Sequence, residues 1–505
     1  MLNFHFDTPL SKYFKTDHLK ENLGRRTLRG GAVTVMAQGG SFVLTTISTI
    51  AFARLLTPQD FGLVAMIAPL LTFMGFFRDL GLSTATVQQE EINHAQISTL
   101  FWVNVALSVG LMLLAFALSP LVGIFYRRPE VVWLTVAYGV NCLLTGLSIQ
   151  HTALLRRQMA FGLLAAISLG SGVLGLLVGI LAAVAGWKYW SLAAMTLVNS
   201  LASLFAVWWL CSWRPARPVR GSGVRPMLRF GGFLTGSNLA YFFASNLDTF
   251  TIGRWLGAVP LGNYNRANQL FLVSLQQLTS PLAAVAVPAL SRLQNEPDRY
   301  RAAFLKALQA LALGTVPLAC ALIVGGDAIA LLLLGPKWTE AAMLVRILAI
   351  AGLLTPVSGA VSWLLITQGR GKALMWFSVT SIIRVLVAIL VGIHWGIAGI
   401  AAAMAANYCF SFFILTFVAC SRGPVKKRDV LWAIRVPVVI GCIGLSSALV
   451  IRAAFSAGTQ VEHGLLAILS FASVSLLLML WPKSHRLVVL ENLALLKRLF
   501  HGQFE

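Results

Sequence analysis

Arg54-Leu55-Leu56-Thr57-Pro58-Gln59-Asp60-Phe61-Gly62 is matched in outline 200 residues further on, where Arg254, Leu256 and Gly262 stand in the register of Arg54, Leu56 and Gly62. Upstream, Arg29 and Gly31 return as Arg229 and Gly231. A register kept over that distance marks a duplicated unit rather than a chance motif. Both copies lie among long apolar runs, and counting outward from them gives the architecture. Runs of span length fall near residues 31–53, 61–84, 97–118, 131–150, 163–185 and 189–209. After a basic stretch at 214–229, six more follow near 228–253, 267–290, 304–324, 343–366, 374–393 and 396–419. Two further runs near 431–451 and 464–481 bring the total to about 14, since about 20 apolar residues cross a bilayer as one helix.

Composition supports this count. Of 505 residues, 58% are hydrophobic and 11% charged, with a mean hydropathy of +0.80, whereas a soluble domain carries about 25% charge. Backbone polar groups in hydrocarbon have no water to bond, so so apolar a chain crosses as helices paired within themselves. The expected fold is an all-α polytopic membrane protein: two six-helix bundles related by a parallel repeat, plus two C-terminal helices. The net charge of +22 does not point to nucleic acid, because no polar stretch is long enough to build a basic soluble face. The six cysteines lie in or beside apolar runs, with no CxxC pair and no histidine at ligand spacing, so they read as small core residues and no metal is expected. About thirty polar residues precede the first run and no cleavage site follows it, so the N-terminus is expected to stay attached.

Short cytoplasmic loops retain Lys and Arg. With the helices placed as above, 27 of the 39 basic residues fall on the side of the N-terminus and 8 on the other, with Arg78, Arg346, Arg384 and Arg435 in or at the ends of spans. Both termini are therefore expected in the cytoplasm. The chain divides into a cytoplasmic amphipathic segment 1–29, a first bundle 30–212, a basic linker 213–227, a second bundle 228–420, two extra helices 421–482 and a cytoplasmic tail 483–505. In the first segment Leu19, Leu23 and Leu28 alternate with charge, the pattern of a helix lying on anionic lipid.

The first helix carries a polar stripe, Thr34, Gln38, Ser41, Thr45 and Ser48, and its last four positions recur in the seventh as Asn238, Tyr241, Ser245 and Asp248. Six is an even number, so each half starts on the same side of the membrane, and the stripes are expected to face one site between the halves. This is the organisation of a transporter.

At these residues the chain resembles the polysaccharide-transporter (Wzx-type, colanic acid exporter-like) branch of the multidrug/oligosaccharidyl-lipid/polysaccharide flippase superfamily. The resemblance is carried by Ala53-Arg54-Leu55-Leu56, Asp60-Phe61-Gly62, Phe77-Arg78-Asp79-Leu80-Gly81-Leu82, the Gln88 to Asn104 segment, Arg229-Phe230-Gly231, Asn246-Leu247-Asp248, Gly253-Arg254-Trp255-Leu256-Gly257, Gly262, Tyr264 and Ala267, and Gly335-Pro336-Lys337-Trp338. It implies alternating access that moves an undecaprenyl-diphosphate-linked oligosaccharide from the inner to the outer leaflet of a bacterial inner membrane. It implies membrane lipids and that lipid-linked sugar as partners, with polysaccharide polymerase and chain-length machinery beside them. No organic cofactor is expected, and a proton or sodium ion is the coupling species a carboxylate in the spans would serve.

For such a cargo, Asn268 and Gln276, with Asn265, Gln269, Thr279 and Ser280 on the eighth helix, offer amide and hydroxyl partners to sugar hydroxyls, as do Gln38, Asn238 and Tyr241; the plain alternative is hydrogen bonding between packed spans. Arg78, Arg346 and Arg384 each cost about 2.5 to 3.5 kcal/mol to embed, and their donor forks suit a diphosphate, unless each pairs with an acid at a helix end or snorkels. Asp248 and Asp79 are the acids placed within spans. Asp248 reads either as a coupling carboxylate or as a clamp on Arg254, with Arg54 in the equivalent place in the first half. Tyr241 and Trp363 lie deep enough to stack on a sugar or simply to fill the core. Three activities stay open: the flippase, a cation-coupled multidrug antiporter of the same superfamily, and a membrane polysaccharide polymerase or ligase. The last would show a long outer loop rich in Arg, His and acids, and the longest here, 325–342, is under twenty residues. The cationic bias of the embedded charges disfavours the antiporter. A transporter, not an enzyme, is expected.

Overall fold

The structure is a computed structural model that describes residues 23–79, 82–89, 92–218, 242, 246–454 and 460–480. Asn238, Tyr241, Glu90, Glu91, most of the seventh span, residues 1–22 of the first segment and the tail 483–505 lie outside the described residues. Among the described residues there are helices and no strands. Eleven stretches are long and apolar enough to cross a membrane. One of them, Gly371–Ala419, divides at a 3-10 turn over Ile393–Trp395 into two helices of span length. The chain is a helical multi-pass membrane protein. It forms two compact units that divide between Val259 and Pro260.

The first unit contains α1 (Leu23–Leu55), α2 (Pro58–Asp79), the short α3 (Leu82–Gln88), α4 (His94–Tyr126), α5 (Glu130–Arg157), α6 (Phe161–Val184) and α7 (Trp190–Leu210). The Thr57 to Gly62 motif is structural. Asp60 accepts hydrogen bonds from the Thr57 N–H (2.9 Å) and hydroxyl (2.6 Å), which caps the start of α2, and from the Tyr189 N–H (3.1 Å), which ties down the turn between α6 and α7. Gly62 lets α2 approach so closely that a Cβ there would overlap the Ala258 carbonyl. α4 starts earlier than its apolar run because Asn93 and Gln96 form a reciprocal capping box. α5 packs on α2, α4 and α7, while α1 packs on α6.

Two arginines that the charge count assigns to loops cap helix carboxyl ends in this unit. Arg157 donates to the carbonyls of Thr86, Val87 and Gln89 at the end of α3. Arg214 donates to those of Trp208, Cys211 and Trp213 where α7 stops. The segment after α7 is then held along one face of α4: the Arg214 carbonyl meets His94, the Ala216 N–H donates to Ser98, and Trp102 donates to the Ala216 carbonyl. His94, Ser98 and Trp102 are spaced by four and so share that face.

A π-helical turn at Ile252–Leu256 closes on Gly257, whose φ of +92° suits glycine, and α8 (Ala258–Arg292) follows. The second unit continues with α9 (Pro297–Leu334), α10 (Thr339–Gly352), α11 (Thr355–Thr367), α12 (Gly371–Gly392), α13 (Gly396–Ala419), α14 (Lys427–Ala454) and α15 (Gln460–Leu480). The expected span at 343–366 is a broken helix, α10 and α11, interrupted at Leu353-Leu354: Pro356 has no N–H to continue the ladder of α10 and sits instead in the first turn of α11, where none is needed. α9 packs on α10, α14 and α15, and α13 packs on α10, α11 and α12. Its core includes Phe304, Leu308, Val361, Leu364 and Phe412, with Trp363 among them. At the end of α13, Arg370 donates to the carbonyls of Val418, Ala419 and Arg422 and to the Ser421 hydroxyl, a third arginine cap.

Candidate functional site

Four helices of the first unit enclose a pocket of about 390 Å³. α1 brings Ser41 and Thr45 from the predicted polar stripe. α5 brings Thr145, Ser148, Thr152 and Arg156, α6 brings Ser168 and Ser171, and α7 brings Asn199, Ser200 and Ser203. The orientation of the hydroxyls sets its chemistry. Thr45 donates to the Ser41 carbonyl, Thr145 to Asn141, Ser148 to Thr145, Thr152 to Ser148 and Ser171 to Ser168. With their protons spent on their own helices, these oxygens can act only as acceptors, while Arg156 and Asn199 offer donors. A ligand rich in hydroxyl donors matches that wall.

Arg78, at the carboxyl end of α2, reaches this wall from outside it. Its Nη1 donates to the Thr145 hydroxyl at 2.6 Å, and its Nε is buried with no acceptor. Thr145 accepts from Arg78 while donating to its own helix, so both roles of the oxygen are used. Asp79 accepts from the Ser83 N–H (3.0 Å) and hydroxyl and so caps α3. Gln38 is exposed on α1 and outside the pocket lining, and Ser48 donates to the Met195 sulfur at 3.6 Å.

In the second unit the other two candidate cations have separate partners. Arg346 lies on α10 with its Nε donating to the Ile323 carbonyl and its Nη1 3.6 Å from Asp327. The outer loop expected at 325–342 is shorter than that, because α9 continues to Leu334 and carries Asp327 inside it, 1% exposed. Arg452 of α14 pairs with the same carboxylate at 2.5 Å and donates to the Val324 carbonyl. Asp327 and Arg452 are missed by sequence reasoning, although two glycines before Asp327 and an arginine in the last turn of an apolar helix were visible. Arg384, deep in α12, bonds Thr380 at 2.9 Å and lies over the Phe377 ring at 4.9 Å, and its Nε and Nη2 are buried with no acceptor.

Asp248 is buried and accepts from the Thr249 N–H at 2.7 Å. Arg254 lies over the rings of Phe125 and Trp255, 5.9 Å from each centroid, rather than on Asp248. Arg54 is exposed at the end of α1. Asn268 is half-buried on α8, and Gln276 lies on the same helix with its side chain outside the described residues. Among the described residues no three His, Cys, Asp or Glu side chains gather as a metal site would require.

A family described as polysaccharide biosynthesis protein matches residues 51–343. The chain is 25% identical over 377 residues to the lipopolysaccharide biosynthesis protein WzxC of Escherichia coli K12, covering 74% of this chain and 76% of that one. It is 26% identical over 347 residues to the succinoglycan biosynthesis transport protein ExoT of Rhizobium meliloti 1021, covering 68% and 70%. Among solved structures, the lipid II flippase MurJ in an inward closed conformation superposes with a TM-score of 0.66 at 14% identity, over 90% of this chain and 98% of that one, and so shares the fold.

Proposed function

Since the chain belongs to the polysaccharide biosynthesis protein family, we propose that it is the flippase of a surface polysaccharide pathway. It carries an undecaprenyl-diphosphate-linked oligosaccharide from the inner to the outer leaflet of the bacterial inner membrane by alternating access, with both termini in the cytoplasm. The observation that carries this reading is the acceptor-rich pocket of the first unit with Arg78 bonded to its wall: a cation beside hydroxyl-matching surface inside an apolar chain suits a sugar diphosphate and little else. ExoT, a relative over two thirds of its length, is a transport protein by name. In this reading Arg78 and Arg384 face phosphate, Arg346 divides itself between Asp327 and the substrate, and Asn268, Gln276, Gln38, Asn238 and Tyr241 contact sugar. Asp248 serves coupling by a proton or sodium ion, the clamp on Arg254 being set aside because Arg254 lies on Phe125 and Trp255. The protein works as a carrier beside polymerase and chain-length proteins, without enzymatic chemistry of its own.

Deletion of the gene tests it. Surface polysaccharide is expected to disappear while lipid-linked repeat units accumulate, still accessible only from the cytoplasmic face of the membrane. Normal polysaccharide export in a deletion strain that lacks any related transporter would overturn it.

A further inference from the structure

The apolar groove between α2 and α4 is unexplained by the pocket. It is about 570 Å³, and its lining among the described residues is apolar, with Phe73 and Phe77 of α2 and Val103, Leu107 and Leu111 of α4. Gly110 lies in its wall, and a Cβ there would meet nothing within 4 Å, so the missing side chain opens the groove. The Phe73 and Phe77 rings, tilted at 45° with centroids 4.9 Å apart, give it an aromatic floor.

We infer that this groove holds the isoprenoid tail of the lipid-linked substrate, with the diphosphate at Arg78 and the sugar in the hydroxylated pocket. The inference rests on the flippase reading and deepens it. Three chemistries follow one another through the first unit. The groove ends at Phe77. The next residue is Arg78, whose Nε is buried without an acceptor and whose Nη1 touches Thr145. Thr145 is part of the pocket wall. Apolar, cationic and hydroxyl-accepting surfaces thus occur in the order of tail, diphosphate and sugar. A phospholipid would satisfy the groove and the cation and leave the pocket without a use, whereas a polyprenyl-linked sugar engages all three. The groove's length agrees, since Val103 to Leu114 spans about 16 Å at 1.5 Å per residue, room for a few isoprene units, with the rest of the tail left in lipid.

The test uses the full chain purified in detergent, with undecaprenyl diphosphate as probe and phosphatidylglycerol as competitor, binding being read by native mass spectrometry. Gly110→Phe fills the groove; Gly170→Phe makes the same change at an exposed glycine of α6 that is equally free of neighbours. Gly110→Phe is expected to weaken undecaprenyl diphosphate binding at least tenfold, and Gly170→Phe to leave it within twofold. A photoreactive benzophenone residue at position 110, which leaves the groove question open to measurement even if the Phe variant folds poorly, is expected to crosslink the isoprenoid where one at position 170 does not. Unchanged affinity in Gly110→Phe, no crosslink from position 110, or equal competition by phosphatidylglycerol would overturn the groove assignment while leaving the flippase reading intact. Absence of undecaprenyl diphosphate binding by the unaltered protein would overturn both.

Discussion

Replacing Arg452 with Met should destabilise the second unit by about 2 to 3 kcal/mol. Asp327 is 1% exposed and its carboxylate has two cations, Arg452 at 2.5 Å and Arg346 at 3.6 Å. Removing one partner of a buried pair costs about 3 to 5 kcal/mol, because the remaining charge stays desolvated. Here the cost is smaller. Arg346 remains within reach, and the Arg452 side chain is itself 20% exposed, so part of its charge is already solvated. The reverse change, Asp327→Leu, should cost less, since both arginines can turn toward water, Arg346 being 38% exposed. Asp327→Leu with Arg452→Met should lie within about 1 kcal/mol of the starting protein, as buried pairs exchanged for apolar residues of similar volume usually do. The assay is unfolding by sodium dodecyl sulfate titration in mixed micelles, followed by tryptophan fluorescence. The double-mutant cycle isolates the pair. An Arg452→Met protein no less stable than the double variant would show that Arg452 does not neutralise Asp327.

In α2, Gly62→Ala should lower stability by about 2 kcal/mol or more through its collision with the Ala258 carbonyl, while Gly75→Ala on the same helix, with open space at its Cβ, should be neutral or gain up to about 1 kcal/mol; fluorescence-detected size exclusion after heating ranks the two. Arg370→Gln should uncap α13 at a cost of about 1 to 2 kcal/mol, seen as faster amide hydrogen exchange confined to residues near 416–422; uniform exchange across the second unit would refute the cap.

The spans were legible because hydropathy at this length has no other physical source, and the repeat because Arg54, Leu56 and Gly62 keep their register. Their role was not. Gly62 and Asp60 serve close packing and capping, which a motif cannot distinguish from substrate contact. The α1 stripe, expected to face a site between the halves, supplies Ser41 and Thr45 to a pocket of the first unit. The share from α5, α6 and α7 was hidden, since serine and threonine in spans bond their own helix and leave no strong periodic signal. Asp327 was hidden for a different reason: Gly325 and Gly326 precede it and Gly335-Pro336 follows, so the segment reads as a loop, and the packing of α9 against α10, α14 and α15 keeps it helical. Break signals were present at Pro356, yet continuous apolarity masked the division into α10 and α11.

The arginine caps bear on how the chain is made. A basic residue in a loop acts on an emerging polypeptide as bare charge, before any helix exists for it to cap. Arg157 meets α3 after that helix has already been synthesised, but Arg370 precedes the carboxyl end of α13 by about fifty residues and stays uncommitted while α12 and α13 are translated. Such an arginine has two successive employments. During synthesis it holds its loop on one side of the bilayer, and once α13 docks it is withdrawn from the lipid surface into four hydrogen bonds. The finished protein therefore shows headgroups fewer free cations than its loops contain, and the orientation set early is locked by the same residue late.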